Sequence, residues 1–295
     1  YPDPFTDLQL KKITATIKDI DQNQVFIGNG SDEAIDLLFR AFCNPGKDKA
    51  YIFTPTYGMY EVSAQINNID IERIELNSEF RLPPLIQYID RIQSNGLIFI
   101  CSPNNPTGNI QSLVAIKEIT DHFKGIVVVD EAYIDFSNSL SAISLIENSP
   151  NLVVLQTLSK AYGLAGLRIG MAYSNLKIIE VLNKIKAPYN INSISQTKAI
   201  NALKKNICAS QINEIKAQRK RMLIELNGLS KVKKVYPSET NFILATFEKA
   251  DEVHQALKQK GIIIRNRSKQ IENALRITIG TPDENTILLQ ALKTI

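Results

Sequence analysis

The chain reads as an α/β protein: a three-layer α/β/α large domain on a mainly parallel sheet, followed by a smaller C-terminal α+β domain. Three observations carry this. Short β-branched runs are followed, again and again, by a polar or glycine-rich loop and then a helical pattern, as in parallel strands covered on both faces. After Lys186-Ala187-Pro188 the alternation gives way to a helical region reaching about Asn227. A compact strand-rich section then closes the chain. Residues 1–200 are therefore expected to form the large domain and residues 201–295 the small one.

Taken in order, Val25 to Ile27 lead into Gly28-Asn29-Gly30-Ser31 and an amphipathic stretch from Asp32 to Phe42. Leu97 to Cys101 lead into Ser102-Pro103-Asn104-Asn105-Pro106-Thr107-Gly108, Ile126 to Val129 into Asp130-Glu131-Ala132-Tyr133, and Leu152 to Leu155 into Thr157-Leu158-Ser159-Lys160. In such sheets ligands bind beyond the carboxyl ends of the strands, so these loops should share one site. Beyond residue 227, Val232 to Tyr236, Thr240 to Thr246, Ile262 to Arg265 and Leu275 to Ile279 read as strands, and Lys249 to Lys260 as a helix. The last helix announces itself by Thr281 as cap, Pro282 in the first turn and Asp283-Glu284 at the positive end of the dipole.

Composition excludes several function classes. With 44% hydrophobic and 22% charged residues and no run long enough to span a bilayer, the chain is not expected to be a membrane protein. The net charge of +4 is spread along the chain; its densest basic run, Arg219-Lys220-Arg221, reads as a solvated helix face and argues against a nucleic-acid partner. Cys43, Cys101 and Cys208 lack CxxC spacing, which points to reduced thiols in the cytoplasm and to no metal site. Two histidines, His122 and His254, leave almost nothing from which to build a metal centre or a Ser-His-Asp triad. The opening Tyr1-Pro2-Asp3-Pro4 reads as the middle of a chain, so a preceding segment is expected.

The chemistry must then come from another group or a cofactor, and Lys160 is the first candidate. A lysine directly after a buried strand, in a loop of small residues, is presented to a cleft and can form an imine with an aldehyde cofactor. Taken alone it is equally a surface lysine beside a turn. Asp130 ends an apolar strand, where a carboxylate needs a cation such as a pyridinium nitrogen; a helix cap or metal ligand is the other reading. Tyr133 and Asn105 can reach a phenolic oxygen of such a cofactor, although Asn105 also suits a turn. Gly28-Asn29-Gly30-Ser31-Asp32-Glu33 offers a helix N-terminus to a phosphate, with Arg168, Ser159 and Thr157 to outweigh the two acids. Tyr57 can stack on a ring or fill a core.

Together these motifs resemble the fold type I pyridoxal-phosphate-dependent aminotransferases of class II, and within them the histidinol-phosphate aminotransferase family. The resemblance runs from Tyr1-Pro2-Asp3-Pro4 through Gly30-Ser31-Asp32-Glu33, Pro55 to Tyr60, Ser102 to Gly108, Asp130 to Tyr133, Ser159 to Gly170, Pro188-Tyr189-Asn190 and Ser238 to Leu244, to Arg276 to Thr281. It implies pyridoxal 5'-phosphate as a Schiff base on Lys160, Asp130 on the pyridine nitrogen, Tyr133 and Asn105 on the ring oxygen, and Tyr57 on the ring face. The Ser31-Asp32 backbone, Thr157, Ser159 and Arg168 would hold the phosphate. Tyr1 would reach across to a neighbouring subunit's site in a homodimer, and Arg276 would bind the substrate anion, paired with Arg265. The implied reaction moves an amino group between L-histidinol phosphate and 2-oxoglutarate or L-glutamate in histidine biosynthesis. An aromatic-amino-acid aminotransferase and a decarboxylase of a phosphorylated amino acid would share the cofactor residues. The family also carries an arm ahead of the position matched by Tyr1, and a segment of that kind is expected before Tyr1.

Overall fold

The structure, a computed structural model, describes residues 2–92 and 95–295. Its first part comprises α1 (Pro4–Lys18), β1 (Val25–Asn29), α2 (Ser31–Phe42), β2 (Lys49–Thr54), α3 (Met59–Ile66), β3 (Asp70–Glu75), β4 (Leu97–Cys101), α4 (Leu113–His122), β5 (Ile126–Asp130), β6 (Leu152–Thr157), β7 (Ile169–Tyr173), α5 (Leu176–Ile185) and α6 (Ser193–Lys205). Among the described residues the strands pair in the order β1-β7-β6-β5-β4-β2-β3; β7 runs antiparallel to both its neighbours and the other pairings are parallel.

The alternation of strand side chains creates the layers. Val127 and Val129 of β5 face one apolar core, where α1, α4 and α6 bring Leu10, Ile116, Ile119 and Ile200. Val128 faces the other, with Ile35, Leu38 and Phe39 of α2, Tyr60 of α3 and Ile179 of α5. Burying each such side chain is worth about 1.5–3 kcal/mol.

The second part comprises α7 (Ala209–Asn227), β8 (Val232–Val235), β9 (Phe242–Phe247), α8 (Ala250–Gln259), β10 (Arg265–Asn266), β11 (Ala274–Thr278) and α9 (Pro282–Thr294). Its antiparallel sheet, ordered β10-β11-β9-β8, turns Ile243, Ala245, Leu275 and Ile277 onto a core with Met222, Leu257 and Leu289 from the helices. The opposite face carries Phe242, which joins Tyr133, Phe136 and Ala161 of the first part. The cap expected at Thr281 is present, and Glu284 adds to it by accepting from the Thr281 amide, which makes a capping box.

Five readings need correction. Strands β2, β3 and β7 are additional to those expected. Ile262 to Ile264 are outside the ladder, which takes only Arg265 and Asn266, because the Ile262 amide donates to Leu257 O at the end of α8. Thr240 and Asn241 lie ahead of β9, and the Thr240 hydroxyl turns back onto the carbonyl of Phe242 at 2.9 Å. The helical region after residue 188 breaks between α6 and α7 at Asn206, whose φ of 44° ends the first helix. Arg219 is not on a solvated face: it is 8% exposed and donates to Phe136 O at 3.1 Å and Thr240 O at 2.8 Å.

Candidate active site

Loops at the carboxyl ends of β1, β4, β5 and β6 meet the outer face of the small sheet around a cavity of about 320 Å³. Each sequence-predicted site residue among those described lines it. Tyr1 lies outside the described residues.

Close approach of backbones builds one end. Gly30 caps α2 with φ 79°, and its amide donates to Arg168 O at 2.8 Å. A Cβ there would fall 2.5 Å from Arg168 Nη2, and the φ of 79° strains any side chain, so glycine suits the point where the guanidinium crosses the helix end. Gly170 of β7 likewise leaves no room, since its Cβ would lie 2.1 Å from the Ser31 amide nitrogen. No side chain caps α2, so the amides of Ser31 and Asp32 keep their donors at the positive end of the dipole. Around them, the Ser159 amide donates to Thr157 Oγ1 at 3.1 Å, and Asp32 takes Arg168 at 3.5 Å and the Tyr57 hydroxyl at 3.3 Å. Arg168 is itself left-handed, with φ 53°, a conformation rare outside glycine and concentrated at functional sites.

The cavity floor is Asp130, 3% exposed at the end of β5. Its Oδ1 accepts from the Ala132 amide at 3.0 Å and its Oδ2 from the Tyr60 hydroxyl at 2.7 Å. Burial raises its pKa against the opposing pull of those bonds. Tyr60 is fully buried, stacked on Phe99 at 4.7 Å, and sequence reasoning missed it; the signal was its spacing three residues after Tyr57. Tyr57 meets Tyr60 edge-on at 5.5 Å and itself faces the cavity.

Lys160 reaches in from the turn after β6, open to the cavity, with Nζ 5.4 Å from the centre of the Tyr133 ring. Burial and then the positive charge of Arg276 lower its pKa, moving the amine toward the neutral, nucleophilic form. Tyr133 is pushed up to about 12 by burial, so it keeps its hydroxyl proton.

The far wall is cationic. Arg276 of β11 donates through Nη1 to Asn105 Oδ1 at 2.5 Å, which leaves the Asn105 amide nitrogen as a donor to the cavity. Its guanidinium lies 4.7 Å over the Phe242 ring, and its buried Nε has no partner. Arg265 is its cross-strand neighbour. Arg267, which sequence reasoning missed, also lines the cavity. The signal was its position two residues after Arg265, on the same face of an extended segment.

A lysine with a lowered pKa, a buried carboxylate, a helix end with free amide donors and an arginine wall in one cavity are what an amine-transferring site with an aldehyde cofactor requires. Known proteins resemble the chain along its length. The family described as aminotransferase class I and II matches residues 1–292. Histidinol-phosphate aminotransferase of Parabacteroides distasonis is 47% identical over 296 residues, covering 99% of this chain and 86% of that protein. The same-named protein of Flavobacterium psychrophilum is 47% identical over 99% of this chain and 85% of its own. Among solved structures, histidinol-phosphate aminotransferase from Clostridium acetobutylicum superposes with a TM-score of 0.90 at 27% identity, over 100% of this chain and 90% of that one. L-threonine-O-3-phosphate decarboxylase from Porphyromonas gingivalis gives 0.82 at 25% identity, over 100% and 90%. Likeness at this level, unbroken from the helix-end cup to the arginine wall, makes the chain a member of the class I and II aminotransferase family.

Proposed function

We propose that the protein transfers the amino group of L-histidinol phosphate to 2-oxoglutarate, yielding the corresponding ketone and L-glutamate, with pyridoxal 5'-phosphate bound at Lys160. One observation carries this reading: a lysine with a lowered pKa shares its cavity with a buried carboxylate and with Arg265 and Arg276, which have no acidic partner among the described residues.

The residues fit the cofactor. The helix end freed by Gly30 and Gly170, with Arg168, Thr157 and Ser159, suits its phosphate, and Asp130 suits its pyridine nitrogen. Tyr57 would cover the ring, while Tyr133 and Asn105 would donate to its oxygen. When bound, the group withdraws electrons from the substrate carbon that carries the amine. Lys160 then takes the proton from that carbon as a base and returns it as an acid. Arg276 and Arg265 hold the phosphate of histidinol phosphate in one half-reaction and a carboxylate of the keto acid in the other.

Residues 1–200 would supply most of the cofactor site and residues 201–295 the arginine wall, in a cytoplasmic homodimer to which Tyr1 contributes across the interface. No described helix is long and apolar enough to cross a membrane.

The test is spectroscopic and kinetic. Purified protein with pyridoxal phosphate should show a visible absorbance band that histidinol phosphate shifts, and Lys160→Ala should abolish turnover. Equal kcat/KM for histidinol phosphate, phenylalanine and tyrosine would sink the substrate assignment. The likeness to the Porphyromonas gingivalis decarboxylase supplies a second reading, a decarboxylase of a phosphorylated amino acid, which carbon dioxide release without keto-acid formation would establish.

A further inference from the structure

The arginine wall holds more charge than Arg265 and Arg276 provide. Arg267 follows Arg265 by two residues, so both point to the cavity while Asn266 between them points away and bonds Asp251 at 2.5 Å. Its backbone is pinned: the amide donates to Ala274 O at 2.8 Å, and the carbonyl accepts from the Gln270 amide at 2.8 Å and the Ile271 amide at 2.9 Å. The direction of the side chain is therefore set by the fold. Its Nε is buried and has no hydrogen-bond partner, as has that of Arg276.

Among the described residues none of these three guanidiniums has a carboxylate within ion-pair distance. The acids of the cavity are engaged elsewhere, Asp32 with Arg168 and Asp130 with Tyr60. Five cations line the cavity against two carboxylates. Burial and mutual repulsion lower the pKa of both Arg267 and Arg276. Three clustered positive charges, two of them partly buried at Arg267 and Arg276, are costly until an anion joins them, and a single carboxylate compensates only one.

We propose that Arg267 is a specificity-determining residue: with Arg265 and Arg276 it forms a three-guanidinium cradle that selects a dianionic phosphomonoester over a monocarboxylate. This rests on the substrate reading above and adds to it. A phosphomonoester carries a charge of about −1.5 to −2 near neutral pH and three acceptor oxygens, enough for a donor from each arginine. The second carboxylate of glutamate or 2-oxoglutarate brings an equal charge to the other half-reaction. Phenylalanine brings one carboxylate and leaves the cradle under-compensated.

The experiment compares holoenzyme of wild type, Arg267→Gln and Arg267→Lys. For each, kcat and KM are measured with histidinol phosphate and with phenylalanine, and inhibition by inorganic phosphate is measured below and above its second ionisation. Arg267→Gln should raise KM for histidinol phosphate and weaken phosphate inhibition by roughly 10-fold or more, the worth of one charge-assisted hydrogen bond, with kcat changed far less. KM for phenylalanine should move far less than KM for histidinol phosphate or should improve, and the gain in phosphate affinity on forming the dianion should shrink. Arg267→Lys, which keeps the charge without the fork, should recover part of the loss. Equal effects on histidinol phosphate and phenylalanine, or unchanged phosphate inhibition, would overturn the cradle. If wild type itself ignores the phosphorylated substrate, the proposed function fails, while the inorganic phosphate series still decides the role of Arg267.

Discussion

At the scale of the residue, the pairing of Tyr60 with Asp130 sets how well a buried carboxylate holds its charge. The 2.7 Å bond from the Tyr60 hydroxyl opposes the burial that raises the Asp130 pKa. Tyr60→Phe removes that donor and keeps the ring stacked on Phe99. A hydrogen bond to a charged group is worth about 1.5–3 kcal/mol, so cofactor retention and kcat should each fall roughly 10-fold or more. Dialysis release of pyridoxal phosphate and steady-state kinetics check this; tight retention with unchanged kcat would leave Tyr60 a packing residue. Lys160 allows a test by pH. Its folded pKa lies below 10.5, so imine formation between apoprotein and pyridoxal phosphate should rise with pH to a midpoint below that value. Arg276 is the largest cause after burial, and Arg276→Gln should move the midpoint upward. A downward move would contradict the electrostatic account.

At the scale of the element, Glu131 ties the end of β5 to its surroundings. It is 2% exposed, and it accepts from the Ser141 hydroxyl at 2.5 Å, the Ala142 amide at 2.6 Å and the Gln156 amide group at 2.8 Å. Burial outweighs these bonds and raises its pKa from 4.5 to about 7. The unfolded chain thus gives up this proton at lower pH than the folded one. Stability from this group is fully present below about 4.5 and lost as pH rises through about 7. Glu131→Gln cannot titrate, so the difference in unfolding free energy between variant and wild type should shift in favour of the variant over that window. Urea unfolding at several pH values measures it, and a pH-independent difference would refute it. Elements also differ in how plainly the sequence announces them. Apolar runs such as Ile126 to Val129 mark central strands because both faces are buried. β3, Asp-Ile-Glu-Arg-Ile-Glu, sits at the sheet edge and buries Ile74 while its charged neighbours face out, so its pattern is too short to stand out. β7 falls inside the loop motif that follows Lys160. Polar loops with glycine and proline signalled most of the cavity, since each needs a fixed backbone shape. Tyr60 and Arg267 were hidden because their roles come from tertiary neighbours, Asp130 across the sheet and the cavity beyond the strand edge.

At the scale of the whole molecule, the cavity depends on how the two cores are joined. Asn105 and Lys160 belong to the large sheet's loops, whereas Arg265 and Arg276 belong to the small sheet and Arg267 directly follows its edge strand β10. Arg219 of α7 helps hold these parts together: it donates to Phe136 O in the first and Thr240 O in the second, with Glu239 at 3.6 Å. Phe136 and Phe242 pack in the apolar cluster at the same junction, and Phe242 underlies Arg276. The basic triplet looked like solvated charge because burial of one member is decided by contacts with Phe136 and Thr240, distant in sequence, which no local pattern encodes. Arg219→Met retains apolar volume but leaves two inward-facing carbonyls without their donor, at a cost of about 1–3 kcal/mol for each. Thermal unfolding should therefore occur at lower temperature. A looser junction should also let the arginine wall drift from Asn105, raising KM for the anionic substrate more than it lowers cofactor affinity, because the helix-end cup lies within the large sheet. Lowered stability with unchanged KM would assign Arg219 to folding alone. A fall in cofactor affinity equal to the rise in KM would place its influence on the whole cavity rather than on the junction.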